Sequence, residues 1–233
     1  MKSIKNLLCV VLIGIAGTVG IANSVNAAEP VLNGEIGVVS RDIYRGVETG
    51  DQVSLYADGR LSNLFVDGLF VDGSFNTIVD ENGRARVGVG YGLTHGNLVW
   101  EVSASRNFWA DQFNVPDYTE YTGRVGYNIF NISRVYGEVT YAPNVVTNLD
   151  VTYAQVGIDF MVTDNFTVCA AVSGYNYDGN GYSDTKYHNT AVTASYNVWD
   201  KFDVFGQYSF GGDLPAGLGT LENASNVGVR YRF

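Results

Sequence analysis

Charged side chains recur at every second position in many short segments of this 233-residue chain, with apolar residues between them. Arg84 and Arg86 alternate with Ala85 and Val87, Arg134 precedes Val135, Glu138 precedes Val139, and Arg230 and Arg232 alternate with Val229 and Tyr231. A period of two places one set on one face of a β-strand and the intervening set on the other. Carboxylates and guanidinium groups that share a polar face can pair with one another or hold a transverse field across a water-filled passage. The candidates for such an interior face are Glu35, Asp58, Arg60, Asp72, Arg84, Arg86, Glu101, Glu120, Arg124, Arg134, Glu138, Arg230 and Arg232, with Asp159 and Asp203 on the same side of their segments. Similar numbers of both signs leave two outcomes open: a wet passage, or a paired network that blocks it.

Other chemistry has fewer residues to work with. A hydrolytic site needs a histidine within reach of Ser, Asp or Glu, and the chain has two histidines. His95 falls in the turn Thr94-His95-Gly96-Asn97. By strand parity His188 points with Val192 and Ala194 to the apolar face, near Ser183 and Asp184, where a barrel lipase would use it; no lipase signature accompanies it. Asp178, Asn180 and Asp184 have the spacing of the middle of a calcium loop, but Tyr187 stands where a bidentate Glu belongs, so the loop is a weak metal candidate. Cys169 has no histidine near it in sequence, and nothing in the chain implies a cofactor.

The elements that carry the interior candidates read as twelve strands. The first spans residues 32–44, the eleventh 202–210, and the twelfth runs through Val227, Val229 and Tyr231 to end on Phe233. Connectors alternate in character. Residues 45–52, 79–83, 109–117, 143–150, 176–186 and 211–222 are long or polar, whereas 94–97, 128–133, 161–165 and 199–201 are tight, and 62–67 is looser. Pro116, Pro143 and Pro215 fall in the longer set, where no ladder N–H is needed. Long connectors at one end and short turns at the other, with an even strand count, define a transmembrane antiparallel up-and-down β-barrel. A soluble sandwich also alternates. It favours Lys and Glu on the wet face, and here Lys186 and Lys201 are the only lysines after residue 27. Twelve strands about 4.8 Å apart and tilted about 40° give a backbone diameter of roughly 24 Å.

Residues 1–27 carry Lys2 and Lys5, an apolar run over 7–21 and a small-x-small close at Val25-Asn26-Ala27, the pattern of a cleaved signal peptide. Its removal takes Cys9 away and shifts the formal net charge from −10 to −12. The remaining chain, 28–233, reads as one barrel domain with a single cysteine and therefore no internal disulfide. It is acidic without a basic run, which argues against nucleic acid as a partner. After residue 28 no apolar stretch approaches the roughly 18 residues of a membrane helix, so a membrane crossing must be made by a closed sheet.

The terminal alternation of Val227, Val229, Tyr231 and Phe233 resembles the closing strand of bacterial outer-membrane barrels, whose final Phe is read by the barrel-assembly machinery. The run Gly37-Val38-Val39-Ser40-Arg41-Asp42-Ile43-Tyr44-Arg45-Gly46-Val47 resembles the opening of the TorF-type porins, uncharacterised proteobacterial outer-membrane proteins with a similar Val-Ser-Asp-Tyr-x-x-Arg-Gly run; Arg41 is an addition here. The resemblance implies a barrel and a pore, not a substrate. The expectation is an outer-membrane protein that forms a narrow passive diffusion channel for small hydrophilic solutes or ions. Acidic residues in the long connectors, such as Glu48, Asp51, Asp80, Glu81 and Asp213, predict a mild cation preference. A closed structural or adhesive barrel acting through its loops is the alternative, with an enzyme third. Expected partners are outer-membrane lipid, the barrel-assembly machinery, periplasmic chaperones, and small solutes or ions; the sequence does not specify an oligomeric state.

Overall fold

A computed structural model describes residues 29–45, 47–50, 52–78, 83–109, 116–130, 132–146, 148–179, 182–212 and 222–233; the expected signal segment lies outside them. The strands in chain order are β1 (Val31–Val39), β2 (Asp42–Tyr44), β3 (Val47–Gly50), β4 (Ser54–Ser62), β5 (Leu69–Ile78), β6 (Gly83–His95), β7 (Leu98–Trp109), β8 (Tyr118–Ile129), β9 (Ser133–Val146), β10 (Leu149–Thr163), β11 (Phe166–Gly179), β12 (Tyr182–Trp199), β13 (Phe202–Phe210) and β14 (Ala224–Arg232). Twelve of them form a closed antiparallel barrel in which β4 to β14 pair in sequence order and β1 joins β14 to β4. The other two, β2 and β3, pair only with each other.

The period-two pattern becomes a barrel turned inside out relative to a water-soluble protein. Ile36, Val89, Val156 and Val227 point outward and are 51–64% exposed, while Glu120 and Asp203 point inward and are each 2% exposed. Exposed apolar side chains distributed around the whole wall make a surface suited to hydrocarbon, and a closed ladder leaves no edge to satisfy there. No described helix is long and apolar enough to cross a membrane. Aromatic residues gather toward the short-turn rim, where Phe202 lies 4.9 Å from Tyr231 and 6.3 Å from Trp199, and Tyr91 lies 5.8 Å from Trp100.

Closure takes place along β1 and β14, which pair from Glu35 with Arg232 to Val39 with Gly228. Phe233 extends this ladder by exchanging backbone hydrogen bonds with Gly34, and its ring covers Gly34 so closely that a methyl there would lie 2.7 Å from the ring. At the other end of the seam the Val227 N–H donates to Ser40 Oγ at 3.1 Å, and the Ser40 N–H donates to the Val227 carbonyl at 2.8 Å. The Ser40 side chain thus replaces a ladder carbonyl, and the chain leaves the wall there. The first strand therefore stops at Val39 instead of continuing to Tyr44, and Asp42–Tyr44 pairs with Val47–Gly50 as the separate β2–β3 hairpin.

Two of the expected long connectors are also largely strand. β9 reaches Val146 before β10 begins at Leu149, and β11 reaches Gly179 before β12 begins at Tyr182. Pro143 is accommodated inside β9 because the β9–β10 register shifts between Leu149 and Val151, while pairing with β8 has already ended at Tyr141. Its missing N–H falls where the ladder is interrupted.

Closure at Gly34 yields a direct test. Gly34→Val introduces a Cβ against the Asp58 carbonyl and the Phe233 ring, so the folded, fast-migrating form on an unheated SDS gel is expected to fall well below the wild-type fraction. Migration identical to wild type would show that Phe233 does not need this contact.

Candidate functional site

The polar faces of the strands converge on the barrel interior, where the charged candidates meet one another. Several contacts join strands that are not neighbours, so they must cross the interior. Arg60 on β4 reaches Glu101 on β7 at 2.6 Å, and Arg230 on β14 reaches Ser195 on β12 at 3.1 Å. Asp72 lies between Arg60 and Arg86, 3.4 Å from each. Asp203 holds Arg230 at 2.8 Å and Arg232 at 2.7 Å, and Glu35 approaches Arg230 at 3.3 Å. Arg124 pairs with Glu138 at 3.3 Å, and Arg134 with Asp159 at 2.5 Å. Asp58 lines two interior cavities, and Arg84 stacks 3.5 Å over the Tyr44 ring. The thirteen predicted residues are thus gathered on one interior surface, mostly as ion pairs.

Small residues keep this crowded interior from filling. The rings of Tyr56, Tyr136, Phe70 and Phe205 lie over Gly37, Gly157, Gly90 and Gly228 on adjacent strands, where even a methyl group would collide with them. Guanidinium groups then stack on three of these rings. Arg60 lies 3.9 Å from the Phe70 centroid, Arg230 5.2 Å from Phe205, and Arg124 5.0 Å from Tyr136. Glycine, ring and guanidinium form a layered lining that holds long side chains near the wall.

Across this interior runs the segment that leaves the wall at Ser40. Asn226 on β14 donates to the Arg41 carbonyl at 3.3 Å, and Asn76 on β5 donates to Asp42. Tyr44 meets Trp109 edge-on at 5.9 Å. Arg45 then pairs with Glu120 on β8 at 2.7 Å and lies 4.8 Å over the Tyr153 ring on β10, and its carbonyl accepts from His188 Nε2 on β12 at 2.6 Å. Arg45 itself has φ of 50°, an uncommon conformation for a residue with a side chain, held by contacts to three strands. The segment is a crossbar anchored on opposite walls of the barrel.

Three interior cavities follow the crossbar. One of about 520 Å³ includes Asn33, Arg60 and Arg232, and shares Glu35, Asp58 and Ser74 with a second of about 370 Å³. The second shares Ile43, Thr193 and Gln207 with a third of about 320 Å³ that reaches Tyr136, Gln155 and Asn189.

His188 contradicts its predicted direction. The β11–β12 register shifts between Ser173 and Gly174, which leaves His188 as the extra residue of a bulge. The bulge turns it from the apolar face into the interior, where it is 1% exposed and meets the Tyr175 ring edge-on at 4.3 Å. An imidazole engaged with the Arg45 carbonyl in this position is not the lipid-facing base that a barrel lipase would use. Of the weak metal loop, Asn180 lies outside the described residues, and the backbone pairs Tyr177 with Asp184 and Asp178 with Ser183, so strand occupies this part of the predicted loop. Among the described residues no three His, Cys, Asp or Glu side chains are placed to share a metal ion.

Sequence reading missed Ile43, Tyr44 and Arg45 as interior residues and the inward turn of His188, whereas strand parity puts Thr193 and Gln207 on the polar face without singling them out. The crossbar had a signal, because Ser40-Arg41-Asp42 puts three polar residues in succession and breaks the period of two. The bulge at His188 had none.

The fold and its lining define a class: a closed twelve-stranded barrel with a polar, ion-paired interior and an apolar exterior. Solved structures similar in fold include the KdgM porin (TM-score 0.59, 11% identity, 86% of this chain and 99% of that one) and the NanC porin (0.59, 12%, 86% and 99%). The COG4313 outer membrane channel from Pseudomonas putida F1 is also similar (0.53, 11%, 91% and 96%). No protein-family model matches the chain, and no curated protein matches it.

The Arg45–Glu120 pair is expected to dominate the attachment of the crossbar. A double-mutant cycle with Arg45→Ala and Glu120→Gln, read by urea unfolding in detergent or vesicles, should give a coupling of about 2 kcal/mol. Additive single effects would show that the pair does not hold the crossbar.

Proposed function

We propose that the protein is an outer-membrane channel that passes small hydrophilic solutes or ions by passive diffusion, with a mild preference for cations. The observation that carries this reading is the series of interior cavities that share Glu35, Asp58 and Ser74 at one junction and Ile43, Thr193 and Gln207 at the other. A polar path of this kind inside an apolar exterior suits a water-filled passage, and the crossbar makes it narrow. Solute would pass beside Ile43 rather than along an open axis. The thirteen charged residues named above would line it.

The cation preference rests on charge outside the paired lining. Residues 28–233 carry a formal net charge of −12, and Asp117, Asp178 and Glu222 are exposed on connectors or strand ends. Such a mouth enriches cations by its field, an effect that salt screens. Residues 1–27 would direct export and be removed. Val227, Val229, Tyr231 and Phe233 would present the closing strand to the assembly machinery, with periplasmic chaperones holding the chain beforehand.

One observation favours a closed structural barrel instead: the crossbar is fixed on both sides of the interior, by Asp42 to Asn76 and by Arg45 to Glu120. Planar bilayers separate the readings. The channel predicts discrete conductance steps and a reversal potential of cationic sign under a salt gradient. The selectivity should weaken between 0.1 and 1 M salt as the screening length falls from about 10 to about 3 Å. A silent membrane containing folded protein would reject the channel, whereas anionic selectivity would reject only the acidic-mouth argument.

A further inference from the structure

We propose that the two cavities beside Ile43 form a binding subsite for an uncharged sugar; this deepens the channel reading and rests on it. The charge pattern of the interior disfavours an ionic ligand. Among the described interior guanidinium groups, all but Arg84 face a carboxylate within ion-pair distance, and Arg84 lies against the Tyr44 ring. At the paired groups an acidic sugar would have to displace a carboxylate from its partner and a cationic one a guanidinium; Arg84 and Asp58 on the second cavity stand outside these ion pairs. Each exchange leaves a charge that must be solvated again.

Neutral hydrogen-bonding groups remain at the junction of the cavities. Thr193 and Gln207 line both and are paired across β12 and β13. Asn226 follows Gln207 in the same row on β14 and is 7% exposed. Its Nδ2 donates to the Arg41 carbonyl, while its Oδ1, on the second cavity, has no hydrogen-bond partner in the structure. On the opposite side of the third cavity Gln155 donates to the Tyr136 hydroxyl at 3.0 Å. Carboxamides and a hydroxyl offer donors and acceptors side by side, which matches the hydroxyls of a sugar, each a donor and an acceptor at once.

Ile43 supplies the complementary apolar surface. It belongs to the crossbar and lines both cavities, so a sugar ring could place its C–H face against Ile43 and its hydroxyl edge against Gln207 and Thr193. The volumes, about 320 and 370 Å³, lie within the range of roughly 300–1,000 Å³ typical of small-molecule sites. The recognition is for a neutral polyol of one or two rings.

The test uses maltose and galacturonate on the full barrel in planar bilayers, with calorimetric titration of maltose into detergent-solubilised protein alongside. Maltose is expected to reduce the current in a concentration-dependent manner, and galacturonate to block less at the same concentration and ionic strength. Gln207→Leu should raise the half-blocking concentration of maltose about fivefold, the order expected for one lost hydrogen bond. Thr193→Val serves if the first variant does not give heat-modifiable barrel. Stronger block by galacturonate, or maltose block unchanged in a folded variant, overturns the proposal. A barrel without conductance that still releases heat with maltose, reduced in the variant, rejects the channel and keeps the site; a conducting barrel with neither block nor heat rejects the site alone.

Discussion

Every backbone polar group of a sheet in hydrocarbon must find its partner within the sheet, and the β1–β14 seam is where this chain meets that requirement. Without the seam, the eleven other hairpin contacts would leave two open edges in an apolar solvent. With it, the pleat sorts each side chain to one of two environments, and the sorting fixes everything that follows. Phe233 and Gly34 complete the ladder at one end. Ser40 ends it at the other by lending its hydroxyl to Val227, which frees the main chain to turn inward. The same residue thus finishes the wall and starts the crossbar.

Inside, the difficulty is the opposite one: charges and rings must be kept without filling the space. Glycines opposite Tyr56, Tyr136, Phe70 and Phe205 let those rings lie against the wall, and arginines lie on the rings. Carboxylates such as Asp203 and Asp72 each hold two guanidinium groups. Removing Asp203 would leave Arg230 with only the longer contact to Glu35 and take from Arg232 its carboxylate partner at 2.7 Å, so this part of the network resists piecemeal change. The crossbar uses the same chemistry, with Arg45 joining Glu120, Tyr153 and His188 from three strands. The interior is consequently narrow but not solid.

The wall was legible because a period of two is a local signal repeated many times. The eleventh predicted strand, residues 202–210, has the bounds of β13, and parity puts Glu101, Glu120 and Arg230 on the polar face, where each makes an ion pair or hydrogen bond. What parity could not supply was any place where the period fails. One inserted residue at His188 reverses its face, and no residue type there announces a bulge. The crossbar was hidden because Ile43 and Tyr44 suit a strand whether it lies in the wall or within the lumen. The ends of the β9–β10 and β11–β12 hairpins were read as loops because polar strand ends look like polar connectors.

The central claim is that a path remains through this barrel and that the crossbar narrows it. The most direct measurement compares single-channel conductance of the wild type with a variant in which residues 41–50 are replaced by a short Gly-Ser turn, both verified as heat-modifiable barrels. The account predicts a clearly larger unitary conductance in the variant. Equal conductance in the two barrels would contradict it, because the path for ions would then not pass the crossbar.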